Sequence, residues 1–288
     1  MPTPINATAT NPPAAVRQSA PPGIPPPPTA TTERKKVAFG EIPSSAGHRI
    51  VLYGTGGIGK TTLAAQLPGP VAFIDLDESL PRLKPQLEAA GIMPNILPVT
   101  GVDSWASLRE VLQSDGWGSV KTIVIDTATK AEEFALQWMF ANIKEKGNTA
   151  SRLEDYGYKA GYRHLFDTFS LLFSDLDHHA RAGRNICLIC HDCQAKVPNP
   201  QGQDWIRNEP RLTQNDNCQL RPRIKEWADH VLFIGYDVAT SENSKVGVGS
   251  GTRSLYTYEL PHCMAKSRGA QEIIPVGPDG AAIWKTII

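Results

Sequence analysis

The sequence predicts an α/β fold built on a mostly parallel sheet with helices on both faces. Three observations lead there. Short apolar runs without alternation recur along the chain, as strands buried on both faces require. Longer stretches with helical periodicity separate them. A glycine-rich turn joins the first such strand to the first helix. The 288 residues carry no net charge, with 20% charged and 41% hydrophobic residues, which suits a soluble globular chain. Neutrality argues against coating nucleic acid by bulk charge, though a local basic groove remains open.

Residues 1–45 form a separate regime. Pro2, Pro4, Pro12, Pro13, Pro21, Pro22 and the run Pro25 to Pro28 sit among Ala and Thr. Such a segment buries too little apolar surface to offset its ordering entropy, so a disordered, partly polyproline tail is expected, with one folded domain over 46–288. The first strand is read at Arg49–Tyr53 and a helix at Lys60–Leu67, stopped by Pro68. Val71–Asp75 is a second strand, Ser79–Ala90 a helix, and Ser104–Gln113 a helix with Ser104 as its cap. Thr122–Asp126 reads as a fully buried strand, followed by helices near 131–142 and 156–182. Asn185–Cys190 and Val231–Tyr236 are further strands, and Ser254–Glu259 and Ala282–Trp284 are late ones. Cys187, Cys190 and Cys193 have the spacing of a metal knuckle. On a strand, however, residues three apart point to opposite faces, so small apolar core side chains are the better reading. No apolar run is long enough for a membrane helix and no secretory start is visible, which makes the cytoplasm the expected location.

The chemistry concentrates in Gly54-Thr55-Gly56-Gly57-Ile58-Gly59-Lys60-Thr61, which fits G-x-x-x-x-G-K-[ST] without a mismatch and is followed by Thr62. Glycines let backbone N–H groups turn inward around phosphate oxygens, and the following helix start adds a favourable dipole. ATP is the expected nucleotide, with Lys60 reaching its β- and γ-phosphates and the Thr61 hydroxyl on Mg²⁺. Asp126, ending an apolar strand at the ligand-binding edge of a parallel sheet, is the second metal residue. Asp77 and Glu78 follow the second strand and are the candidates to orient water; capping of the next helix is their alternative role. Thr127 is placed to hydrogen-bond near the γ-phosphate. His191 ends a strand beside Asp126, where it senses the γ-phosphate or is simply a satisfied core histidine.

Taken in order, Tyr53 to Ala64, Phe73-Ile-Asp-Leu-Asp-Glu78, Ile123-Val-Ile-Asp126, Leu188-Ile-Cys-His191, Tyr156 to Tyr162 and Ala265-Lys266-Ser267-Arg268-Gly269 resemble the RecA-like ATPase core. The similarity is strongest to phage nucleotide-binding proteins, including RecA-like phage single-strand annealing proteins, and covers about 46–288. It implies an ATP-hydrolysing homo-oligomer acting on single-stranded DNA in recombination or replication, in a bacterial host's cytoplasm if phage-encoded. It also implies that Lys266 and Arg268 reach the γ-phosphate of the neighbouring subunit. RecA proteins carry Glu where this chain has Asp77, which leaves Asp77 and Glu78 both open as the base. Lys196, Trp205, Arg207, Arg211, Arg221, Arg223 and Lys225 in the stretch 192–228 suit a single-strand path, although nearby acids almost balance them. The alternative is a ParA/MinD-like partition or positioning switch, whose motif carries Lys where this chain has Thr55. A small-molecule kinase would need an Arg-rich lid that the sequence lacks.

Overall fold

The computed structural model describes residues 37–41, 46–240 and 247–288. Most of the predicted tail, and its proline run, lies outside the described residues. The chain divides into units of residues 1–42 and 43–288. Every element below belongs to the second.

In chain order these are β1 (Arg49–Tyr53), α1 (Lys60–Ala64), β2 (Val71–Asp75), α2 (Leu80–Ala89), β3 (Ile96–Pro98), α3 (Trp105–Gln113), β4 (Thr122–Asp126) and α4 (Ala128–Asn142). The short pair β5 (Lys144–Glu145) and β6 (Asn148–Thr149) precedes α5 (Ala160–Arg181), β7 (Asn185–Cys190), β8 (Asp192–Val197) and β9 (Trp205–Pro210). A second short pair, β10 (Gln214–Asn215) and β11 (Cys218–Gln219), leads to α6 (Leu220–Trp227), β12 (His230–Thr240), β13 (Gly247–Tyr256), β14 (Ile273–Pro275) and α7 (Gly280–Ile287).

One sheet orders its strands β14-β13-β12-β1-β7-β4-β2-β3. The run from β12 to β3 is parallel; β13 is antiparallel to both its neighbours. Alternate strand residues feed two cores. Ile50, Leu52, Val124, Cys187 and Leu232 pack with Leu63 of α1, Leu87 of α2 and Ile283 of α7. Val51, Tyr53, Ile123, Ile125 and Leu188 pack with Trp105 of α3, Met139 of α4, Phe169 of α5 and Ile224 of α6. Helices therefore cover both faces, as predicted. Cys187 falls in one core and Cys190 in the other, so no shared metal is possible, and burial pushes both thiols far above their usual range.

Four predicted strands, at 49–53, 71–75, 122–126 and 185–190, coincide with the observed ones. Other expectations are corrected. The first helix is shorter than read: after Ala64 the backbone tightens into three-residue turns through Gln66 and Leu67. Ala282–Trp284 is helical rather than extended. The Asp279 carboxylate accepts from the Ala282 N–H at 3.0 Å and caps α7, whose Trp284 indole donates to the Leu63 carbonyl at 2.8 Å. The final strand is instead Ile273–Pro275. The stretch 192–228, read only as a basic single-strand path, folds into the antiparallel hairpin β8–β9 and helix α6.

Candidate functional site: a phosphate loop with a carboxylate cluster

β1 delivers the chain to the sheet edge at Tyr53, and the glycine-rich loop turns there. A Cβ on Gly54 would lie 2.3 Å from the Ile234 carbonyl oxygen, so β12 passes too close for any side chain. Gly59 takes φ +104°, a conformation that only glycine adopts without strain, and caps α1. Lys60 is buried; its ammonium donates to the Gly54 and Thr55 carbonyls at 2.8 and 2.9 Å. Burial lowers its pKa, the acidic side chains of Asp126 and Asp192 opposing.

The parallel register sets Asp75 beside Asp126 at the same edge. The Thr61 hydroxyl donates to Asp126 Oδ2 at 2.6 Å, and the Ser79 hydroxyl approaches the same oxygen at 3.2 Å. Burial lifts the Asp126 carboxyl to about 6, with the Asp75 and Asp77 charges adding to the effect against the Thr61 hydrogen bond. The cleft couples the motif threonine directly to the strand-end aspartate, with Lys60, Arg82 and Arg253 lining the same space. A hard divalent cation fits that donor set.

Asp75 is the residue sequence reasoning missed. Its carboxylate accepts from the Ser79 N–H and hydroxyl at 2.9 and 3.0 Å and from the Leu80 N–H at 2.7 Å. It, rather than Asp77 or Glu78, caps α2. Both aspartates end apolar strands, but their adjacency required the strand order.

Asp77 lines the cleft together with Gly56, Lys60, Asp126, Thr127 and His191, in a space of about 580 Å³. His191 Nε2 stands 3.2 Å from Asp77 Oδ2. That hydrogen bond, with the Thr127 hydroxyl and Lys130 charge assisting against burial, holds Asp77 below the usual carboxylate range. Glu78 is exposed at φ +54° and does not line the cleft. Thr127 lines it and also caps α4, accepting from the Lys130 N–H at 3.0 Å. Arg253, assigned no role from the sequence, reaches the loop from β13 and donates to the Ile58 carbonyl at 2.6 Å.

Lys266 and Arg268 lie elsewhere. Lys266 pairs with Val231 near the start of β12, at the sheet edge opposite the phosphate loop. Its ammonium donates to the Ala228 and Lys225 carbonyls at 2.7 and 3.0 Å and so closes the C-terminus of α6. Arg268 is exposed and pairs with Asp229 at 2.9 Å. The basic residues of 192–228 are largely spoken for. Arg207 pairs with Glu209 and Glu259, Arg221 with Glu209, Lys225 with Glu259, and Lys196 with Asp204. Arg223 packs over the Phe173 ring.

The family described as an AAA domain matches residues 46–269. The chain belongs to the AAA domain family. Its loop, its strand-end aspartates and its mostly parallel sheet therefore belong to an ATP-binding P-loop NTPase. No curated protein matches the AAA-domain chain. Among solved structures it is similar to the flagellar accessory protein FlaH from Methanocaldococcus jannaschii, at 11% identity and TM-score 0.39, over 74% of this chain and 78% of that one. Among the described residues no helix is long and apolar enough to cross a membrane.

Proposed function

We propose that this AAA-domain protein is a Mg²⁺-dependent ATPase. The observation that carries the reading is the 2.6 Å bond from Thr61 to the buried Asp126, in the same cleft as the buried Lys60. Among the described residues Lys60 has no carboxylate within ion-pair distance, which suits an anionic polyphosphate, and the Thr61–Asp126 pair would hold the metal. Mg²⁺ there would neutralise charge on the phosphate oxygens. Asp77, kept ionised by His191, accepts a hydrogen bond from the attacking water and orients it. Glu78, turned out of the cleft, has no part in that step. Turnover requiring Mg²⁺ and lost in Lys60→Ala tests the reading. Equal turnover in EDTA, or an unimpaired Lys60→Ala protein, refutes it.

The finer role we propose is on single-stranded DNA, as a homo-oligomer. Position supports it more than charge: hairpin β8–β9 starts one residue after His191, so the state of the phosphate site has a direct covalent path to it. Exposed Ile206 and Arg211 lie on and beside that hairpin. Stimulation of ATPase by single-stranded DNA is the assay. An unchanged rate at saturating DNA, with no binding, removes this part and leaves the ATPase standing.

A further inference from the structure

We propose that Arg253 grips the α- and β-phosphates of the bound nucleotide, as a clamp supplied by the same chain from the antiparallel strand β13. This deepens the ATPase reading and rests on it.

Position comes first. β1 and β12 run parallel with Tyr53 beside Phe233, and β12 carries Tyr236 opposite Arg253. Arg253 therefore stands at the edge where the phosphate loop turns. Leu255, two residues on, is buried in the core under α1, so Arg253 shares that face of the sheet. Its Nη1 meets the Ile58 carbonyl and would lie 2.5 Å from a Cβ on Gly59. The guanidinium rests against the two residues that lead into Lys60, and it lines the same cleft.

Capacity comes second. Arginine has five N–H donors. Among the described residues the Arg253 side chain makes one hydrogen bond, to Ile58, and no ion pair. Arg49, Arg109, Arg207, Arg221 and Arg268 each pair with a carboxylate. A partly buried guanidinium facing a phosphate loop, with most donors unused and no ion pair among the described residues, matches the bidentate recognition of phosphate.

Strand order then says which phosphates. Asp126 ends β4, and Asp77 and His191 follow β2 and β7, all on one side of β1. Arg253 comes from β13, two strands away on the other side. The γ-phosphate belongs with the carboxylates and their metal, so the guanidinium meets the phosphates that ATP and ADP share. It acts on affinity for both and leaves the chemical step alone.

The test is titration of the full chain with ATP and with ADP, paired with steady-state turnover. Arg253→Ala is expected to raise the Kd of both nucleotides by about tenfold or more, the loss of at least one of the clamp's charge-assisted hydrogen bonds. Its kcat at saturating ATP should stay within about threefold of the parent, and Arg253→Lys, which keeps the charge and the stem, should recover part of the affinity. Unchanged ADP affinity in a folded Arg253→Ala protein overturns the clamp. Loss confined to ATP with a fall in kcat overturns it too, in favour of a γ-phosphate role. A parental chain that binds neither nucleotide overturns the ATPase reading as well; a parent that binds while Arg253→Ala matches it overturns the clamp alone.

Discussion

His230 gives a prediction that can be worked from geometry. It is 1% exposed, with Nδ1 2.9 Å from the Ser267 hydroxyl and Nε2 3.0 Å from His48 Nδ1. Burial first, then the proximity of the His48 ring and of the Arg268 and Lys266 charges, pushes its pKa down from 6.5 to about 4, with Asp229 opposing. The unfolded chain takes up this proton as pH falls through about 6.5, while the folded chain refuses it until about 4. Stability is therefore intact above 6.5 and lost progressively between 6.5 and 4. At 1.36 kcal/mol per pH unit the whole loss is about 3 kcal/mol. In a chain of this size that is roughly 6–12 °C in Tm. The perturbation is His230→Gln, which cannot titrate. Thermal and urea unfolding of parent and variant should be compared from pH 7.5 to 4. The variant pays a constant offset for lost packing and hydrogen bonds, but the parent-minus-variant difference should fall by about 3 kcal/mol across that range. A difference constant within about 0.5 kcal/mol would show that His230 carries no such proton linkage and would refute the reasoning.

Asp126→Asn should keep ADP affinity within a few fold while Mg²⁺-dependent turnover drops more than tenfold, because the lost charge holds the metal more than the nucleotide; turnover within threefold of the parent contradicts the assignment. Tyr53→Phe removes the hydroxyl that reaches the Met264 and Asn208 carbonyls at 2.6 and 2.9 Å, so urea unfolding should show a loss of about 1–3 kcal/mol with nucleotide affinity unchanged. Arg268 is exposed and the only cation of its motif not committed to capping a helix, so it is our candidate for a trans-acting finger. Arg268→Ala should bind ATP normally and hydrolyse it about 10³-fold or more slowly, with partial recovery on mixing with Lys60→Ala. Hydrolysis at the parental rate at every protein concentration sinks the finger.

Much of this protein was legible in its chain order. The strand at 49–53, the phosphate loop and the strand ending in Asp126 are local patterns: an apolar run, a glycine turn, an acid at a strand end. Backbone sterics and burial on both sheet faces specify such patterns within a few residues, so Lys60, Thr61 and Asp126 stood as candidates without tertiary knowledge. The same locality misled at 282–284, where a short apolar run reads as a strand but Asp279 caps it as a helix and Trp284 packs on Leu63. That Asp77 lines the cleft and Glu78 does not was set by the backbone turn between them. Lys266 looked like a free cation because its carbonyl partners lie about forty positions upstream. Arg253 carried no local signal at all: its hydrogen-bond partner Ile58 is 195 positions away, and only the placement of an antiparallel strand two places from β1 brings them together. Periodicity and turn chemistry are written residue by residue, whereas strand order is decided by which long-range pairings bury the most surface, and that decision belongs to the folded chain.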